Sequence, residues 1–296
     1  MEYKLRNKNF TAVCLSQGGE LVSMIGKEGV EYLWKGDAAS WSGHSPNLFP
    51  IVGALKDGKH EVDGKVYNLR KHGFAQYHDF RIVEQGDVFI VFELNATEET
   101  RREYPFEFKF QIRHELIADG AITTYRVVNT GDVPLPFCIG AHPGLACPLF
   151  PGEQFSDYEL VFGKPVTLYT LKCPDLNPID PDDIRCLFDD RATLGLDYSL
   201  FDYDVLIFRD VPCRDLSIRH KKKKHGIRML FEDFPAIGLW TAPHKEAPYL
   251  CLEPWQGIPA VKGEGPAIKD KAYAVILPPG GERQFSYSLH ILGTTE

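Results

Sequence analysis

Phe106-Glu-Phe-Lys-Phe-Gln-Ile-Arg-His-Glu-Leu116 alternates apolar and polar side chains almost without a break. Phe106, Phe108, Phe110, Ile112 and Leu116 fall on one face and mostly charged groups on the other, the mark of a half-buried β-strand. At about 3.3 Å per residue the run reaches about 36 Å, longer than an average strand and suited to a broad sheet. Ala118-Asp119-Gly120 then turns the chain into a second run over residues 122–128, and Asn129-Thr130-Gly131-Asp132 turns it again.

The same grammar recurs along the chain. Residues 10–15 meet the turn Gln17-Gly18-Gly19 and continue through 21–25, and another turn falls at Gln85-Gly86-Asp87. Near the end, Val275-Ile276-Leu277 passes through Pro278-Pro279-Gly280-Gly281 into residues 284–292, where Phe285, Tyr287, Leu289 and Ile291 alternate inward. Long helical periodicity is absent, leaving 98–102 and 180–188 as short-helix candidates, both polar enough to be surface loops instead. Residues 143–181 are proline-rich and short of alternation, which predicts a long excursion over one face or edge that roofs a site. No fixed-period repeat and no Gly/Ser linker divides the chain. The reading is therefore all-β: a large antiparallel β-sandwich with few short helices, one domain over residues 1–296.

Composition narrows the function classes. With 44% apolar and 25% charged residues, the 296-residue chain can bury a substantial core. Thirty-three basic against forty-one acidic side chains leave a net charge of −8, the wrong sign for general attraction to nucleic acid or an anionic membrane. The amino terminus lacks the apolar segment of a signal peptide, and no apolar run approaches the ~20 residues of a membrane-spanning helix. Cys14, Cys138, Cys147, Cys173, Cys186, Cys213 and Cys251 are odd in number and form no CxxC pair, so neither a disulfide framework nor a zinc ribbon is expected. Reduced thiols in a cytoplasm fit this pattern.

Three segments break the strand grammar by setting a polar group among glycine, proline and aromatic residues: Arg70-Lys71-His72-Gly73-Phe74-Ala75-Gln76, Gly140-Ala141-His142-Pro143-Gly144, and Cys251-Leu252-Glu253-Pro254-Trp255-Gln256-Gly257. In the third, Glu253 follows an apolar run and precedes Trp255, which puts a carboxyl at a strand end beside an aromatic surface. Partial burial there raises its pKa above the free value of about 4.3 and improves it as a base. An aromatic beside a carboxylate is also what a sugar site uses, stacking C–H faces while hydroxyls are hydrogen-bonded. Taken singly, His72 or His142 reads more readily as a structural histidine, and Trp240 or Trp255 equally well as a core aromatic; the joint context favours catalysis for the histidines. His78 reads as a surface or supporting group, and Lys221-Lys222-Lys223-Lys224 as a solvated hairpin tip.

Together with Asn47-Leu48-Phe49-Pro50-Ile51-Val52-Gly53, these segments closely resemble the aldose 1-epimerase (mutarotase) family, best its LacX-like branch, in order over nearly the whole chain. The resemblance implies a galactose mutarotase-like β-supersandwich, no metal or organic cofactor, and a sugar cleft on the concave face of the sheet. It implies Glu253 as the base at O1, His142 as the acid at O5 and His72 as a hydrogen-bonding group near the ring oxygen. A family aspartate that binds sugar hydroxyls corresponds to Asp204, with Asp202 the alternative, and Trp255 and Gln256 are expected to contact the sugar. Family members carry an arginine shortly after the segment matching Phe49-Pro50-Ile51; this chain has none there, so Lys56 or Arg70 is expected in its place.

Three rivals remain at this level. A hexose-6-phosphate 1-epimerase would need lysine or arginine around the cleft, for which Lys56, Arg70, Lys71 and the lysine run are candidates. A non-catalytic carbohydrate-binding protein would keep the cleft without needing a matched acid and base. A metal-dependent enzyme would use His72, His142 and Glu253 as ligands.

Overall fold

The computed structural model describes residues 1–173 and 178–293. The strand foreseen at 106–116 runs Phe108–Ile117, with alternate side chains buried along its whole length. It starts two residues late because Pro105 precedes it and the Phe106 N–H is taken by the Tyr104 carbonyl at 2.8 Å. Phe106 still buries its ring. His114, the polar gap in the inward row, is satisfied: its Nε2 lies 2.8 Å from the Gly19 carbonyl and its Nδ1 3.0 Å from Thr123 Oγ1.

Among the described residues this strand belongs to a sheet of fifteen whose paired neighbours are all antiparallel. From one end the order is Asn47–Leu48, Ile139–Ala141, Tyr249–Gln256, Ala236–Trp240, Leu206–Phe208, Tyr158–Leu171, Asp215–His220, Gly226–Leu230, Glu282–Leu292, Gly120–Asn129, Phe108–Ile117, Phe89–Asn95 and Arg81–Gln85. Gly144–Ala146 pairs with Tyr249–Gln256, and Ile184–Gly195 with Tyr158–Leu171, off this path. The sheet curls until its ends face each other across one apolar core. Phe49, next to the first strand of the order, stacks on Phe110 of the eleventh with ring centroids 4.8 Å apart, and also packs on Phe108 and Phe137. Asn47 ties the same end down by accepting from the Tyr125 hydroxyl at 2.7 Å and donating to the Gly18 and Gly19 carbonyls. Those carbonyls lie at the turn between Phe10–Leu15 and Glu20–Gly26 of a separate three-stranded sheet.

Most predicted turns and strands are present, and Glu98–Glu103 is a helix capped by Thr97. The lysine run does turn Asp215–His220 into Gly226–Leu230, although Lys223 is tethered to buried Glu153 at 2.6 Å rather than fully solvated. Two expectations are corrected. The stretch 143–181 is not an excursion without strands: it contains Gly144–Ala146 and the fourteen-residue strand Tyr158–Leu171, while its residues 174–177 lie outside the described residues. Gly163, Lys164 and Pro165 interrupt its alternation, and its pairing with Ile184–Gly195 shifts register between Val161 and Tyr169. Nor is 180–188 a helix; residues 180–183 turn into the Ile184–Gly195 strand. Among the described residues no helix is long and apolar enough to cross a membrane.

Closure of the sheet through Phe49 sets a stability test. Phe49→Ala is expected to cost roughly 3–5 kcal/mol in urea denaturation, as large aromatic deletions in packed cores do. A loss below about 1 kcal/mol would remove Phe49 from that role.

Candidate active site

Tyr249–Gln256 lies between Ala236–Trp240 on one side and Ile139–Ala141 with Gly144–Ala146 on the other, so its middle is buried. Glu253 sits there opposite Gly238, 1% exposed. Burial raises its pKa well above the usual carboxylate range; the Lys71 charge opposes that rise and Asp204 adds to it. The Trp255 indole lies close enough to oppose the rise weakly, without the geometry of a full hydrogen bond.

His142 follows the Ile139–Ala141 strand, and its backbone N–H donates to the Pro46 carbonyl at 3.1 Å. Its Nε2 is 3.2 Å from Glu253 Oε2. Burial pushes its pKa down to about 3, with Lys71 a lesser cause in the same direction. Both members of the pair therefore favour their uncharged forms: the carboxyl keeps the proton and the imidazole is neutral. Moving that one proton across the contact yields carboxylate and imidazolium with no exchange with solvent.

His72 is held differently. Its backbone is left-handed at φ 65°, and Gly73 follows at φ 72°, where a Cβ would stand 2.2 Å from the Phe49 carbonyl oxygen. Only glycine fits there. The His72 N–H donates to the Gly53 carbonyl at 2.8 Å, and the Gly53 N–H returns a bond to His72 Nδ1 at 3.1 Å. Because Nδ1 accepts, Nε2 carries the ring proton and is a donor. Burial first, then His142 and Lys71, hold the pKa of His72 well below the ordinary histidine value. Its ring meets that of His142 edge-on at 5.7 Å.

His72, His142 and Glu253 border a cavity of about 290 Å³ together with Asp204, Trp255 and Lys71. Trp41 and Trp240 add aromatic walls. Asp204 Oδ1 accepts from Trp240 Nε1 at 2.7 Å, which orients the carboxylate, whereas Asp202 is half exposed, 3.5 Å from His244 and outside this cavity. Trp255 fits edge to edge between neighbouring strands because Gly140 and Gly238 flank it; a Cβ at either would come within 2.7 Å of the indole.

Three expected sugar contacts are not brought to the cavity. Gln256 lies three residues from Glu253, so the period of two turns it to the other face, where it donates to the Tyr273 carbonyl at 2.7 Å. Arg70 lies over the Tyr77 ring, 3.6 Å from Glu103, and Lys56 stands in the turn Lys56–Gly58 beside a separate cavity. Of the basic groups considered, Lys71 borders the site. Trp41 escaped the sequence reading. It lies in an irregular segment, and only packing brings it to His142, with ring centroids 5.0 Å apart. For metal binding, His142, Cys251 and Glu253 bring ligand atoms together, while His72 Nδ1 is already engaged with Gly53.

The arrangement supplies one transferable proton, a neutral N–H donor, a carboxylate acceptor and aromatic faces. Comparison with known proteins places the whole chain in a family. The family profile described as aldose 1-epimerase matches residues 1–290. Protein LacX of Lactococcus lactis subsp. lactis is 31% identical over 304 aligned positions, covering 99% of this chain and all of LacX. The structure of a galactose mutarotase related enzyme from Lactobacillus acidophilus superposes with a TM-score of 0.94 at 31% identity, covering 100% of this chain and 99% of the other. That of a galactose mutarotase-like protein from Lactobacillus casei gives 0.90 at 26% identity, covering 98% and 100%.

Burial of Glu253 carries a pH signature. Above about pH 4.3 the unfolded chain ionises this residue while the fold keeps it protonated, so the fold binds more protons and loses stability as pH rises, by up to about 1.4 kcal/mol per unit until the raised pKa is reached. His142 acts oppositely: below about pH 6.5 the unfolded imidazole takes up a proton that the folded one refuses, and stability falls as pH drops. Glu253→Gln should therefore gain stability relative to wild type by a larger increment at pH 8 than at pH 5 in urea denaturation. An increment independent of pH would contradict the burial argument.

Proposed function

The chain belongs to the aldose 1-epimerase family, and from that premise we propose that it interconverts the α and β anomers of an unphosphorylated hexose by acid–base ring opening and closure. The observation that carries this reading is the 3.2 Å contact between His142 Nε2 and Glu253 Oε2 at the wall of a sugar-sized cavity.

In the working form the shared proton sits on His142. The Glu253 carboxylate takes the O1 proton as the imidazolium gives one to O5, and the C1–O5 bond breaks to leave an open-chain aldehyde. Rotation about C1–C2 presents the other face of the carbonyl. O5 then attacks C1, returning its proton to His142 while Glu253 returns one to O1. One proton enters the sugar and one leaves in each direction, so no co-reactant is needed. His72 Nε2–H donates near the ring oxygen, Asp204 accepts from hydroxyls, and the tryptophans face the C–H surface. Each proton-transfer group supplies about 10²–10⁴-fold.

Cavity size supports a single sugar ring, since ligand pockets commonly run from about 300 to 1,000 Å³. The phosphosugar reading has less support: Lys56 and Arg70 lie elsewhere and the lysine run forms a hairpin tip, leaving Lys71. A binding role alone does not call for a buried carboxyl facing an imidazole.

Exchange between anomeric protons, followed by NMR for glucose, galactose and their 6-phosphates, tests the proposal. Wild type is expected to accelerate exchange of a free hexose more than that of its 6-phosphate, and Glu253→Gln to lose at least about 10²-fold. No acceleration by folded protein, or full activity in the variant, would refute the mechanism.

A further inference from the structure

Cys251 takes no part in the reaction proposed above, yet it precedes Glu253 by two positions on the Tyr249–Gln256 strand, so both side chains leave the same face. One ligand atom from each of His142, Cys251 and Glu253 lies within 4.8 Å of the other two; Cys251 and Glu253 are buried and His142 is largely so. His142 Nε2 and Glu253 Oε2 are 3.2 Å apart. Tetrahedral zinc, with nitrogen or oxygen at about 2.0 Å and sulfur at about 2.3 Å, holds its ligand atoms roughly 3.3–3.6 Å from one another. The His142–Glu253 pair is already near that separation, and the thiol has at most about 1.5 Å to close. Cys251 is a free thiol, and among the described residues no protein group makes a well-formed hydrogen bond to either Glu253 oxygen. A mixed nitrogen, sulfur and oxygen set suits zinc better than the hard cations magnesium or calcium, which prefer oxygen alone.

We infer that His142, Cys251 and Glu253 form a three-ligand site for a zinc-class divalent cation, whose fourth coordination position faces the sugar cavity. His142 and Glu253 border that cavity while Cys251 does not, so an ion reaches the three groups from the sugar side past the first two. As the metal–sulfur bond forms, the thiol proton leaves to solvent, and a carboxyl proton leaves with the metal–oxygen bond. The ion then occupies the two atoms through which protons move, so the site is inhibitory. Inhibition rests on the proposed epimerase function; metal binding rests on the triangle of side chains alone.

Cobalt(II) as an optical probe, with zinc as competitor, tests both parts on the intact protein. One equivalent of cobalt is expected to produce a thiolate-to-metal charge-transfer band that zinc removes. Zinc should lower anomeric exchange at least tenfold, and a chelator should restore it. Cys251→Ala, checked for folding by circular dichroism, should keep the basal rate, lose the band and need at least tenfold more zinc for the same inhibition. Absence of the band in wild type, equal zinc sensitivity in Cys251→Ala, or a rate that rises with added metal would overturn the inference. A cobalt band in a wild-type protein that turns over no sugar would support the metal site while refuting the epimerase reading.

Discussion

A carboxyl group buried in the middle of a sheet without a cationic side chain in hydrogen-bond contact is the constraint around which this site is built. Glu253 is 1% exposed and faces a histidine that is itself uncharged by burial. An isolated buried charge is costly, so the pair settles into its neutral form, with the carboxyl protonated and the imidazole uncharged. Lys71 at the cavity wall supplies a positive potential that works against the rise of the Glu253 pKa. Lys71 lowers the pKa of His142 as well, so its effects on moving the proton from carboxyl to imidazole oppose each other, and burial is what holds the pair neutral.

Packing and chemistry are joined at Phe49. Its ring closes the curled sheet against Phe108 and Phe110. Its carbonyl oxygen accepts from the N–H groups of Phe74 and Ala75 at 3.0 and 3.3 Å, which seats the loop carrying His72. Gly73 permits that approach, and Gly53 fixes the His72 tautomer from the other side. The same economy appears at Trp255, where glycines on both neighbouring strands clear space for an indole beside the carboxyl. Side chains that set the reactivity of the site are thus positioned by backbone that also closes the fold.

The sequence carried the fold wherever alternation was unbroken, as along Phe108–Ile117 and Glu282–Leu292. It failed along Tyr158–Leu171, where an interrupted row and shifting register hide a strand whose burial comes from its neighbours. Glu253, His142 and His72 could be singled out because each stands in a short motif of glycine, proline and aromatic residues, and the fold brings all three to one cavity. Of Asp204 and its alternative Asp202, the fold brings Asp204 to the cavity, where Trp240 orients it. Lys56 and Arg70 were attractive because they are close in sequence to the site segments, but three-dimensional direction sends Lys56 to another cavity and Arg70 onto Tyr77. Trp41 left no mark in the pattern, since its place beside His142 depends on contacts distant along the chain.

Infrared difference spectroscopy between wild type and Glu253→Gln, in sugar-free buffer at neutral pH, locates the proton of the pair directly. Burial of the neutral pair requires a protonated-carboxyl C=O stretch that is present in wild type and missing from the variant. A difference spectrum showing only an ionised carboxylate would contradict it, because the pair would then rest in its charged form and burial would not control the site.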